Sequence, residues 1–133
     1  MTISVLIIDG PLGPPPPSVV AQGAGALCTF EGFVRPTEGA IPIEALNYQA
    51  YQPMAQTMLE RLANDMKAKH GVMRIFMQHS RGRVAVGQCS FRLVVASRHR
   101  QEALAALDEF INCMKRDVPI WKNPVYILLP ADR

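Results

Sequence analysis

The sequence predicts an α+β fold, a mixed or antiparallel sheet with two long helices packed on it. Three observations predict it. Runs rich in β-branched and apolar residues recur at 2–8, 25–34, 43–51, 72–78 and 90–96, and such runs suit a pleated, half-buried surface. Two further segments carry apolar residues at helical spacing, one after Pro53 and one after Arg98. The order along the chain is strands, helix, strands, helix, strand, which is that of a sheet layer covered by helices. A length of 133 residues, 49% of them hydrophobic and 19% charged, suits one domain with one substantial core. The domain is expected to span 1–133, with 9–23 as a loop.

The elements follow in order. Thr2 to Ile8 reads as the first strand. Asp9 to Pro17 holds two glycines and five prolines, a stiff polyproline-like spacer in which no ladder can continue. Residues 18–22 have room for one helical turn at most. Gly25 to Val34 resumes a strand, and Gly32 within it marks a bulge or a close backbone approach. Arg35-Pro36 ends that strand, 37–42 is a loop around Gly39, and Ile43 to Tyr51 is the returning strand.

Pro53 suits the first position of a helix through about Lys69, with Met54, Met58, Leu59, Leu62, Ala63 and Met66 forming its apolar stripe. His70-Gly71 terminates it. Val72 to Gln78 is the next strand, and His79 to Arg83 reads as a polar turn. After a turn at Gly87, Ser90 to Ala96 is a strongly apolar strand. Ser97 is placed as the N-cap of a second helix from about Arg98 to Arg116, whose stripe is Ala103, Leu107, Phe110, Ile111 and Met114. Val118 to Leu129 is extended and punctuated by Pro119 and Pro124, as befits an edge strand.

Composition narrows the function classes. Fourteen basic against 11 acidic residues give a net charge of +3, too mild to imply nucleic acid. No apolar run approaches the roughly 18 residues of a membrane span, and the opening residues lack the basic start and apolar core of a signal peptide. Cys28, Cys89 and Cys113 are odd in number and widely separated, with no zinc-type spacing, so buried free thiols and a cytoplasmic setting are expected.

No Gly-rich phosphate loop, zinc-binding helix motif or serine-nucleophile elbow occurs. What remains is a set of basic side chains: Arg35, His79, Arg81, His99, Arg100, Lys115 and Lys122. Lys115 near a helix C-terminus has an ordinary explanation, since it complements the dipole there. Lys122 has one too, as a charge guarding an edge strand. His99 and Arg100 stand at a helix N-terminus, where partial positive charge already exists and cations are unfavourable unless an anion sits among them. Periodicity alone does not bring these residues together.

Several stretches, taken in order, carry a family resemblance. They are Gly25-Ala26 leading to Phe30-Glu31-Gly32-Phe33-Val34-Arg35, then Leu46 to Tyr51 with Met54-Ala55, and His79 with Gly82. Ser97-Arg98-His99-Arg100, Met114-Lys115 and Pro119-Ile120-Trp121-Lys122 complete the set. The chain resembles the large, catalytic subunit of molybdopterin synthase over Gly25 to about Tyr126. That resemblance implies an α/β hammerhead architecture, a homodimer, and a heterotetramer with a small ubiquitin-like sulfur carrier. The carrier's Gly-Gly tail, activated as a thiocarboxylate, would deliver sulfur twice to cyclic pyranopterin monophosphate, forming molybdopterin with no metal or organic cofactor in this step. It further implies Lys115 and Lys122 as catalytic residues and Arg35, His99 and Arg100 as substrate-binding residues, with both protomers contributing near each site.

Departures are local. Asn123-Pro124 stands where the family commonly continues with a basic residue and a glutamate, Arg81 does not directly follow His79, prolines replace much of an N-terminal helix, and the chain stops at Arg133 without a longer tail. Two rival readings keep their place: a non-catalytic homologue that binds the carrier without turnover, and an RNA-binding module. The second needs exposed aromatics beside the cations, and aromatic residues are only 7% of the chain.

Overall fold

A computed structural model of the chain describes residues 2–16 and 21–128. Its strands are β1 (Ile3–Asp9), β2 (Ala26–Phe33), β3 (Thr37–Glu38), β4 (Ile41–Ala50), β5 (Arg74–Ala85), β6 (Cys89–Ser97) and β7 (Ile120–Tyr126). The helices are α1 (Met54–His70) and α2 (Arg100–Asp117). The seven strands form one sheet in the order β2-β6-β5-β4-β3, with β1 also paired to β5 and β7 to β4. Only β1–β5 is parallel; the remaining pairs are antiparallel.

β5 organises the sheet because its two halves pair differently. Arg74 to His79 lies against β6 and Ile75 to Arg81 against β1, whereas Gly82 to Ala85 pairs with Tyr48 to Ala45 of β4. Gly82 marks the changeover at φ +87°, a left-handed conformation that side-chain-bearing residues avoid. The polar turn expected over 79–83 is therefore a continuous strand. Its two arginines are accommodated by carboxylates on the neighbouring strands, Arg81 by Asp9 and Arg83 by Glu44, while the buried Ser80 hydroxyl has no hydrogen-bond partner among the described residues.

The helices pack together and cover the β1, β5, β6 and β2 part of the sheet. Ala55, Leu59, Ala63 and Met66 of α1, with Ala103, Ala106, Phe110 and Met114 of α2, share one core with Val5, Ile75, Met77, Leu93 and Val95. Met58 and Leu62 pack at its margin, while Met54, placed on the stripe from sequence, is exposed. Pro53 is the residue capping α1 rather than its first turn, and Gly71 closes the helix at φ +68° with its N–H on the Lys67 carbonyl. A smaller cluster of Val34, Ile43, Leu46 and Val84 holds the β4 end.

Three further expectations are corrected. Ser97 is not the cap of α2; it is the fully buried last residue of β6, its hydroxyl donates to the His99 carbonyl, and His99 occupies the cap position without a side-chain bond. The stretch 37–42 is a hairpin, not a loop, with Thr37 and Glu38 paired to Pro42 and Ile41 around Gly39. Of the cysteines only Cys89 is buried, Cys28 and Cys113 being half-exposed, and all three thiols are free. The bulge at Gly32 and the β7 edge strand are as expected. Most of the helical turn considered over 18–22 lies outside the described residues.

The proline-rich segment is fastened to the sheet at its start. Gly10 and Leu12 donate their N–H groups to the carbonyls of Arg81 and Cys89, and Leu12 is buried. The Gly13 carbonyl accepts from Arg92, which is 3% exposed and also bonds Glu31 and Gln78. Gly25 is required where the chain re-enters the sheet, because a Cβ there would collide with the Arg98 carbonyl oxygen.

Candidate active site

Where α2 ends against the β4 half of the sheet, a cavity of about 460 Å³ opens. Arg35 reaches it from the exit of β2, just past the Gly32 bulge that turns that strand. Lys115 reaches it from the last turn of α2, and Lys122 from β7. Side chains alternate along a strand, so Lys122 faces this cavity while the neighbouring Trp121 lines a separate recess of about 540 Å³. That recess holds Arg81, but Asp9 accepts from its Nε at 2.8 Å and is held below the usual carboxylate range by that bond.

Three cations thus face one cavity against a single carboxylate, Glu38. The Glu38 Oε1 lies 3.0 Å from Lys122 Nζ. Glu38 was not legible as a site residue, because only the β3–β4 hairpin carries it across to β7. It supplies an acid beside Lys122 even though Asn123-Pro124 follows that lysine in sequence. Among the described residues, Arg35 and Lys115 have no ion-pair partner, so their charge is available to a ligand.

The cavity's other wall is aromatic and apolar: Phe30, Phe33, Phe91, Ile111, Met114 and Ile120. Tyr48 and His79 sit between the two kinds of wall. The Tyr48 hydroxyl donates to Ser90 Oγ at 2.9 Å. The His79 ring stands edge-on to Tyr48 at 5.2 Å and tilted against Phe91 at 5.8 Å. Its Nδ1 is 2.7 Å from the Ser80 carbonyl. A carbonyl only accepts, so Nδ1 carries the hydrogen in the neutral ring. Burial pushes the imidazole pKa down and the bond to Ser80 pulls it partly back.

His99 and Arg100 do not line this cavity. They stand at the other end of α2, 15 residues or about 22 Å of helix rise from Lys115. His99 is well exposed with Glu102 at 3.6 Å, and Glu102 is the acidic first-turn residue that the opening of α2 needs. The two basic groups therefore lie far from Lys115 of their own chain. Among the described residues no cluster of His, Cys, Asp or Glu could hold a metal, and no helix is long and apolar enough to cross a membrane.

The MoaE protein family model matches residues 17–117. The chain belongs to the MoaE family. It is 38% identical over 100 residues to the molybdopterin synthase catalytic subunit of Nostoc sp., covering 74% of this chain and 61% of that one. To the human protein of the same name it is 33% identical over 108 residues, covering 81% and 57%. This MoaE-family chain thus spans a little over half the length of such curated relatives. The fold matches the crystal structure of molybdopterin synthase from Staphylococcus aureus with a TM-score of 0.80 at 26% identity, covering 91% of this chain and 90% of that one. It also matches a complex of subunits 1 and 2 of molybdopterin-converting factor from Helicobacter pylori, with a TM-score of 0.71 at 29% identity over 92% and 88%. The α+β architecture expected from sequence is that of these structures.

Proposed function

We propose that this chain is the catalytic subunit of a molybdopterin synthase, a sulfurtransferase. It would move sulfur from the C-terminal thiocarboxylate of a small carrier protein to cyclic pyranopterin monophosphate. One observation carries the reading: Arg35, Lys115 and Lys122 converge on a single cavity whose remaining wall is aromatic. A planar heterocycle bearing a cyclic phosphate matches both halves of that lining. Arg35 is the group suited to fork onto the phosphate. Lys115 and Lys122 are suited to stabilise the negative charge that develops as the thiocarboxylate sulfur bonds to the heterocycle and water then cleaves the acyl C–S bond, releasing the carrier as its carboxylate. Glu38 orients Lys122 and gives its proton a neighbouring acceptor.

In this reading His99 and Arg100 serve the site of a second protomer. Their distance from Lys115 within one chain favours that division, as does the family's use of both protomers. The assembly is then a homodimer with a carrier on each chain, working in the reducing cytoplasm that three free thiols suit. Reconstitution tests it: purified chain, thiocarboxylated carrier and precursor are combined and molybdopterin is assayed. Product formation supports the reading. Carrier binding without product supports the non-catalytic homologue instead.

A further inference from the structure

The cavity holds one side-chain acceptor nitrogen that this chemistry does not use. Its cations can only donate hydrogen bonds, and the Glu38 carboxylate faces Lys122. The Tyr48 hydroxyl is spent on Ser90. His79 differs from all of these. Its Nδ1–H is fixed on the Ser80 carbonyl, so Nε2 holds a lone pair, and no partner for that nitrogen exists among the described residues. The ring is 7% exposed and wedged between Tyr48 and Phe91, which removes its freedom to turn the other nitrogen inward. Burial also lowers its pKa, which keeps the lone pair free near neutral pH.

We propose that His79 is a specificity-determining residue whose Nε2 accepts a hydrogen bond from a ring N–H or amino group of the substrate's heterocycle. The proposal rests on the function proposed above and deepens it by assigning a direction to the substrate. The donor-rich heterocycle lies at the His79, Tyr48 and Phe91 end, and the anionic end lies among Arg35, Lys115 and Lys122. A buried acceptor discriminates because a ligand lacking the matching donor leaves it unpaired. A lysine or arginine in its place would instead repel the same donors.

The test uses His79→Asn and His79→Gln in the full chain. Asparagine can keep the bond to the Ser80 carbonyl but does not extend to the Nε2 position, whereas the glutamine amide oxygen can reach it. Calorimetric titration with the cyclic pyranopterin precursor should show His79→Asn binding about tenfold more weakly, with His79→Gln recovering much of the loss. Carrier binding should be unchanged in both. Wild-type affinity in His79→Asn overturns the assignment, as does an equal loss in both variants while each still binds the carrier. If His79→Asn loses carrier binding as well, His79→Gln alone decides: near wild-type precursor affinity supports the assignment and a tenfold loss overturns it. Failure of the wild-type chain to turn over would count against the sulfur-transfer reading, while the precursor titration still judges His79.

Discussion

His79 illustrates how one side chain links stability to the site. Its ordinary pKa is 6.5, and burial lowers it in the folded chain. Unfolding therefore takes up a proton as pH falls below about 6.5, so this group's contribution to folding declines from there down to its folded pKa. Thermal melts between pH 7.5 and 5.5 should show wild type losing more stability than His79→Gln over that interval. Glu109 has the opposite sign. Lys69 and His70 hold its carboxyl below the usual 4.5, so its contribution is present above that value and fades as pH falls through the folded pKa. At this scale the sequence was partly legible. Arg35, Lys115 and Lys122 were marked by their motif surroundings, and the structure brings them together. Glu38 carried no signal, because its meaning comes from a lysine 84 positions away across a hairpin and a strand.

Helical elements were legible and the middle of the sheet was not. Both helices announce themselves through small and large apolar residues every three or four positions, and their mutual contact preserves that spacing. β5 was cut short at Gln78 because a run of His, Ser, Arg and Gly resembles a turn, yet the ladder with β1 continues through Arg81. What makes its arginines tolerable there is pairing with Asp9 and Glu44, which no local pattern reports. Arg92 is the extreme case. It is buried within a sheet strand and binds Glu31 at 2.7 Å, Gln78 at 2.6 Å and the Gly13 carbonyl at 2.9 Å. Removing one partner from a buried ionic cluster leaves the others uncompensated. Arg92→Ala should lower unfolding free energy by about 3 kcal/mol in urea titrations, and should also loosen the proline-rich segment to protease.

The whole molecule places its basic groups at both ends of α2, on surfaces about 22 Å apart along one helix. A homodimer that sets the α2 opening of one protomer beside the cavity of the other would reunite them. Mixed dimers test this arrangement. Chains carrying Lys115→Ala and chains carrying Arg100→Ala should each be poorly active alone, and co-refolding them should restore activity, because one of the two sites in each mixed dimer then has both residues. Absence of any recovery, with mixed dimers verified by mass, would contradict a site shared between protomers. The overall architecture was visible from sequence because strand and helix order constrains an α+β layer strongly. The two-way pairing of β5 was not, since it depends on Gly82 adopting a left-handed conformation.

The central claim is that the cavity at the end of α2 performs the sulfur transfer, and Lys115 is its most exposed point. The direct measurement is single-turnover formation of molybdopterin by a Lys115→Ala chain supplied with thiocarboxylated carrier and precursor. Loss of a cation that stabilises developing charge predicts a rate about 100-fold lower or worse, with carrier binding retained. Conversion at the wild-type rate would contradict the account.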